Sequence, residues 1–288
     1  MSNSSKPKAL ISLLQFTSRA DFAENKKIIR ELLQNLVAEQ PEGEASPAHL
    51  VIIPEAFARF GAGEAAQGKY AEPLGLGPVQ EFIQACCCEF GVWILAGTMA
   101  IKGDDRYAAA SLLFDAHGKL VSRYDKIHLF DAAVNDNTKT YQESKFTKPG
   151  EQLVVLDTPF GKLGLAVCYD LRFPEMFRAL RNMGAELITL PSAFTKVTGA
   201  AHWQPLLQAR AIENQVYMLA PNQTGTHDDG RETWGHSMVV NPWGEIIGEL
   251  GAEPGVLTLE LDLETLAKVR QQMPVQQHNQ FKVQFIHD

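Results

Sequence analysis

The chain has little that would tie it to a membrane, a nucleic acid or an oxidising compartment. Its 288 residues include only four cysteines, Cys86, Cys87, Cys88 and Cys168. Three are consecutive, which suits neither a disulfide framework nor a spaced metal site, because neighbouring cysteines bridge only with strain. No run approaches the ~20 uninterrupted apolar residues of a membrane-spanning helix. Basic residues are in deficit: 26 Lys and Arg stand against 34 Asp and Glu, a net charge of −8. That argues against a nucleic-acid binder, whose contact face is usually basic. No low-complexity tract, linker or shift of composition marks a boundary, so one domain over residues 1–288 is expected. Residues 1–8 are polar and lack the apolar core of a signal peptide. A reduced, cytoplasmic protein is the expectation, with Cys86, Cys87 and Cys88 packed in a helix rather than engaged in redox chemistry.

What is present reads as alternating strands and helices. Strands are expected over 8–15, 50–54, 92–100, 108–114 and 120–124, then 153–158, 163–167, 187–191, 216–220, 237–241, 245–249 and 255–262. Helical spacing occupies 21–39, with Asp21 as its cap, and 78–90, 174–183 and 202–214. Residues 41–47 read as a polar loop, and 131–150 as a long polar loop without period, a length that is usually functional. From about residue 273 a polar tail with scattered apolar residues is expected to wrap something. The pattern gives an α/β protein with mixed sheets, two of them packed together with helices outside.

The chain is organised around residues 161–175, GKLGLAVCYDLRFPE. Leu163 to Val167 form an uncharged apolar run, and Cys168 ends it, followed by Tyr169, Asp170 and Arg172. A strand end is a rigid mount for a nucleophile. Pro174 opens a helix whose positive end is expected to lower the thiol pKa. The other reading is a structural cysteine, since free thiols are often buried. Glu55 follows the run LVIIP, and Lys126 follows LVSRYD. A thiol, a carboxylate and an ammonium converging from three strand ends would suit acyl transfer: nucleophile, general base and oxyanion partner. Glu143, in the long loop, is a fourth candidate. Residue types alone do not make a triad, because such glutamates and lysines are more often solvated.

Longer motifs sharpen this. IPEAF at 53–57, YDKIHLFD at 124–131 and CYDLRFPE at 168–175 resemble, in order and spacing, three motifs of the nitrilase superfamily of carbon–nitrogen hydrolases. The resemblance implies a four-layer α-β-β-α sandwich of two mixed sheets. It implies a triad falling on Glu55, Lys126 and Cys168, with Glu143 as a second glutamate. It also implies a thioester intermediate, an oxyanion held by Lys126 and the Tyr169 N–H, and no metal or organic cofactor. Subunits of the superfamily commonly pair through outer helices, so a homodimer is expected, with 202–214 in the contact.

Tyr169-Asp170, where true nitrilases usually have Trp-Glu, points to an amidase acting on a small-molecule amide. CYDLRFPE, PSAFTKVTGAAHW at 191–203, QARAIE at 208–213 and THDDGR at 226–231 resemble the branch that hydrolyses deaminated glutathione to 2-oxoglutarate and cysteinylglycine. Substrate carboxylates call for cations, for which Arg172 and Arg231 are candidates. His202 and His236 are further candidates, with a packed structural role as the other reading of each. An ω-amidase acting on 2-oxoglutaramate, or another small-amide or carbamoyl hydrolase, shares the chemistry. A non-catalytic binding protein of the same fold is the alternative of another class.

Overall fold

The structure, a computed structural model, describes residues 9–38 and 48–282 together with Gln284 and Ile286. The expected loop over 41–47 lies outside these residues. The first half builds one sheet and its outer helices from β1 (Ala9–Gln15), α1 (Phe22–Ala38), β2 (His49–Ile52), α2 (Glu64–Lys69), α3 (Pro78–Phe90), β3 (Trp93–Ile101), β4 (Ala108–Phe114) and β5 (Leu120–Asp125). A small hairpin follows, β6 (Asp131–Ala133) and β7 (Thr140–Gln142). The second half holds β8 (Val155–Thr158), β9 (Gly161–Leu165), α4 (Pro174–Asn182), β10 (Leu187–Thr189), α5 (Lys196–Asn214) and β11 (Tyr217–Ala220). It ends with β12 (Thr224–Thr226), β13 (Glu232–Trp234), β14 (Met238–Val240), β15 (Ile246–Glu249), β16 (Gly255–Leu261), α6 (Leu263–Gln272) and α7 (Val275–His278).

Two six-stranded mixed sheets result, in the orders β16-β1-β2-β3-β4-β5 and β8-β9-β10-β11-β14-β15. Read in those orders, both run antiparallel, parallel, parallel, antiparallel, antiparallel. The period-2 alternation of strand side chains sorts β2 between two layers. Leu50 and Ile52 face the second sheet, whereas Val51 and Ile53 join the core under α1 and α3. In α1, Phe22, Ile29, Leu33 and Leu36 recur on the buried face, and Asp21 Oδ1 accepts the Ala23 N–H at 3.0 Å. α3 starts on Pro78 and ends on Gly91, which adopts φ +66°. Cys86 and Cys87 are buried in its inner face, and burial pushes the Cys86 thiol up to about 11. Outside the second sheet, α4 contributes Met176, Phe177 and Leu180 and α5 contributes Trp203, Leu207 and Ala211. The layers are therefore α-β-β-α.

Several stretches depart from the sequence reading. The segment 131–150 contains the β6–β7 pair and a 3₁₀ turn at Glu143–Lys145. Strands of three residues are too short to show a period. α5 begins at Lys196 rather than at 202, because the Thr195 side chain accepts the Thr198 N–H. Its first turn also needs Gly199: a Cβ there would lie 2.3 Å from Trp234. α2, the β12–β13 pair, α6 and α7 were not anticipated. α6 is capped by Asp262 and buries Leu266 and Val269. Beyond α7, Phe281 stands exposed.

Candidate active site

Glu55 follows β2, Lys126 follows β5 and Cys168 follows β9, so three chain turns meet at one end of the sandwich. Lys126 Nζ donates to Glu55 Oε1 at 2.7 Å and to Glu143 Oε2 at 2.9 Å, with its side chain only 2% exposed. Glu55 Oε2 accepts the Ala193 N–H at 2.8 Å, and Glu143 Oε2 accepts the Phe130 N–H at 2.7 Å. Both carboxylates are thus fixed from two sides. Desolvation works to lower the Lys126 pKa, but Glu143 and then Glu55 outweigh it, so the ammonium is held well above its ordinary range. Burial raises the Glu143 pKa, against the pull of Lys126.

Two of these turns carry left-handed backbone. Ala56 adopts φ +55° and Cys168 φ +45°. Non-glycine residues are held there only when the surroundings over-determine them. For Ala56 the support is β3, whose register breaks between Ala96 and Met99 and lets Thr98 Oγ1 accept the Ala56 N–H at 2.9 Å. Only glycine serves at 97, since a Cβ would lie 1.9 Å from the Pro54 carbonyl oxygen. For Cys168 the support is Asp170, which is fully buried. Its Oδ2 accepts the Val167 N–H at 2.8 Å and the Tyr124 hydroxyl at 2.7 Å. Its Oδ1 accepts the His128 N–H at 3.1 Å and His128 Nδ1–H at 2.7 Å. One carboxylate therefore ties the cysteine turn to both flanks of Lys126. Burial, and then Asp170, push the Tyr124 phenol well above its ordinary pKa, so it remains a donor. The sequence reading named Asp170 beside Cys168 but gave neither it nor Tyr124 a role in the site. The signal was present, as a carboxylate between the apolar run 163–167 and Leu171 and as a tyrosine at the inward phase of β5.

The expected lowering of the Cys168 pKa is not found. Burial raises it well above the ordinary thiol value, and the Glu55 carboxylate raises it further, against the smaller opposing effects of Lys126 and the Ala193 N–H. The helix expected to lower it begins only at Pro174, after a 3₁₀ turn over Cys168–Arg172. Cys168 rests as a neutral thiol facing a carboxylate, so attack requires a base.

Cys168 opens on two adjoining cavities. The larger, about 850 Å³ with its open mouth, is lined by Glu55, Lys126 and Glu143, and further out by Phe60, Tyr141 and Arg231. The smaller, about 230 Å³ with its open mouth, is lined by Tyr169, Arg172, Phe194, Thr195 and Thr198. The Arg172 guanidinium lies 5.3 Å from the Phe194 ring and 5.9 Å from that of Tyr169, with Nη1 3.2 Å from His202 Nδ1. His202 itself is exposed and lines neither cavity. His236 sits with Glu249 and Trp234, apart from both. Arg231, in a loop that read as polar, has a side chain only 12% exposed. Among the described residues no group of three or more His, Cys, Asp or Glu side chains is placed to hold a metal ion.

Comparison with known proteins places this geometry in context. The carbon-nitrogen hydrolase family model matches residues 10–271. A deaminated glutathione amidase of Yersinia enterocolitica is 44% identical over 95% of this chain and 93% of its own. Saccharomyces cerevisiae Nit3, a member of branch 10 of the nitrilase superfamily, superposes with a TM-score of 0.84 at 29% identity, covering 97% of this chain and all of its own (100%). A variant of an amidase from Nesterenkonia sp. AN1 superposes at 0.76 with 27% identity, over 95% of this chain and 96% of its own. That variant carries the acetamide moiety of fluoroacetamide on its active-site cysteine.

Proposed function

Because this chain belongs to the carbon–nitrogen hydrolase family, we propose that it hydrolyses deaminated glutathione to 2-oxoglutarate and cysteinylglycine through a thioester on Cys168. The observation that carries the chemistry is Cys168 opening on the cavity in which a fixed Glu55 carboxylate holds the buried Lys126 ammonium. Glu55 takes the thiol proton as sulfur attacks the amide carbon. The oxyanion is held by Lys126 and the Tyr169 N–H, at no reorganisation cost because Lys126 is already fixed between two carboxylates. Glu55 then returns its proton to the leaving nitrogen as the C–N bond breaks. Water, deprotonated by Glu55, attacks the thioester, and the acid and the free thiol result. Glu143 keeps Lys126 charged and in place. Arg172, beside Cys168, is the cation for the acyl arm's carboxylate. The substrate choice is supported by relatives named for this activity at 38–44% identity, matched along nearly the whole chain.

The test offers deaminated glutathione and 2-oxoglutaramate side by side. Strong preference for the first, with 2-oxoglutarate and cysteinylglycine appearing in equal amounts, is expected. Preference for 2-oxoglutaramate would move the activity to an ω-amidase.

We take residues 1–288 as one hydrolase domain, and the subunit as one half of a homodimer joined around α5. Ile212 of α5 and Trp243 of the β14–β15 turn are 53% and 55% exposed. The β14–β15 turn lies against Ile212, since a Cβ on Gly244 would lie 2.5 Å from its side chain. Sedimentation is expected to show a dimer, and Ile212→Glu with Trp243→Glu a monomer. A monomeric parent protein would refute the pairing. The four free thiols favour a reducing compartment, taken as the cytoplasm. Recovery of the protein in an oxidising, disulfide-forming fraction would contradict it.

A further inference from the structure

We infer that Arg231 is the specificity-determining residue that reads the terminal carboxylate of the leaving amine, at the far side of the larger cavity. The inference rests on the proposed substrate and goes one step past it, by giving each arm of that substrate its own cavity.

The first ground is the direction of proton transfer. The leaving nitrogen must receive a proton as the C–N bond breaks, and it must therefore face the acid–base groups. Glu55, Lys126 and Glu143 all line the larger cavity and none lines the smaller. The amine arm accordingly extends into the larger cavity, and the acyl arm into the smaller one beside Arg172. The amine arm ends in a carboxylate, and Arg231 lines the cavity it enters.

The second ground is how Arg231 is held. Its Nε donates to Asp229 Oδ2 at 2.7 Å, and its backbone N–H to Asp229 Oδ1 at 3.1 Å. Its guanidinium carbon lies 4.3 Å from the centre of the Phe60 ring. Among the described residues no hydrogen bond occupies either Nη, so the outer edge of the fork is free for a bidentate carboxylate. Phe60 is fixed in turn by His227, whose ring meets it edge-on at 4.3 Å. His227 is held by the Ser18 carbonyl at 2.9 Å and Thr233 Oγ1 at 2.8 Å. Burial brings the His227 pKa down to about 4, so this support is uncharged near neutral pH and does not compete for the carboxylate. Glu232, also on the cavity wall, is countered by Lys196 at 2.7 Å. The whole mount is local: a Cβ at Gly61 would lie 2.8 Å from the Asp228 N, which keeps this loop pressed onto the Phe60 turn.

The test compares kcat/KM for three amides in the parent enzyme and in Arg231→Met. They are deaminated glutathione, the same compound with its glycine carboxylate capped as an amide, and 2-oxoglutaramate, which shares the acyl arm but releases ammonia. Capping the carboxylate is expected to lower the parent enzyme's kcat/KM roughly 10- to 100-fold, the range for a charge-assisted hydrogen bond. Arg231→Met should lose a similar factor on deaminated glutathione and far less on 2-oxoglutaramate. The variant should also be indifferent to capping, since the two changes remove one interaction. Equal losses on deaminated glutathione and 2-oxoglutaramate would overturn the assignment, as would a parent enzyme indifferent to capping. Should Arg231→Met fail to fold, the parent's response to capping and the intermediate response expected of Arg231→Lys decide the matter. A parent enzyme that hydrolyses 2-oxoglutaramate but not deaminated glutathione would refute the substrate reading itself, and this assignment with it.

Discussion

Cys168→Ala is expected to lower kcat/KM by about 10⁴-fold or more, since removing a nucleophile leaves only binding and oxyanion stabilisation. The expectation follows from the arrangement around the sulfur. Burial and Glu55 keep the resting group a thiol, and its proton has one charged acceptor facing it. Without the sulfur, Glu55 and Lys126 still hold each other at 2.7 Å but have nothing to attack with. Progress curves at high enzyme concentration check this. Substantial residual turnover would mean that Glu55 activates water directly and that no thioester forms. The strained backbone supplies an internal control. Cys168 adopts φ +45°, which costs a side-chain-bearing residue about 1–2 kcal/mol relative to glycine. Cys168→Gly should therefore be as inactive as Cys168→Ala yet melt no lower, which separates loss of chemistry from loss of fold.

Asp170→Ala is expected to damage stability and activity together. Its carboxylate accepts four hydrogen bonds with no solvent exposure. Truncation strands the Val167 and His128 N–H groups and the Tyr124 hydroxyl in the core. An unsatisfied buried group costs about 1–3 kcal/mol, so a total of about 3 kcal/mol or more is expected. The same bonds set the Cys168 turn against the segment bearing Lys126, so kcat should fall even in the molecules that remain folded. Asp170→Asn should be milder: its amide oxygen still serves one side, while its NH₂ meets the Val167 donor or the His128 pair. Denaturant unfolding of the three proteins, with kcat measured well below the transition, checks the order. A stable but inactive Asp170→Ala would show that Asp170 acts in the chemistry rather than through position.

Much of this was legible in the chain because apolar runs end abruptly at functional groups. β2 gives way to Glu55 and β9 leads to Cys168 across a visible change from apolar to polar residues, whereas β5 (LVSRYD) is already polar before Lys126, which stood out through the run YDKIHLFD. α3 was marked at both ends, by Pro78 and by Gly91. What was not legible depends on contacts distant in sequence. Asp170 is charged and looks exposed until Tyr124 and His128 are brought to it. Arg231 was a candidate on its charge alone, and its polar loop gave no sign that Phe60 and Asp229 frame it. The β6–β7 and β12–β13 pairs have three residues per strand, too few for alternation to register. The sense of the Cys168 pKa shift was missed because sequence shows the nearby helix start but not the depth of burial or the carboxylate across the cavity.

The chain is a carbon–nitrogen hydrolase, and a covalent intermediate on Cys168 is what sets its proposed chemistry apart from direct attack by water. The most direct measurement mixes enzyme and deaminated glutathione, quenches in acid within the first turnover, and locates any adduct by mass spectrometry of the digested protein. A 2-oxoglutaryl group is expected on the peptide that carries Cys168, lost on treatment with hydroxylamine and absent from Cys168→Ala. Turnover with no adduct at Cys168, or an adduct on Cys88 instead, would contradict the covalent route.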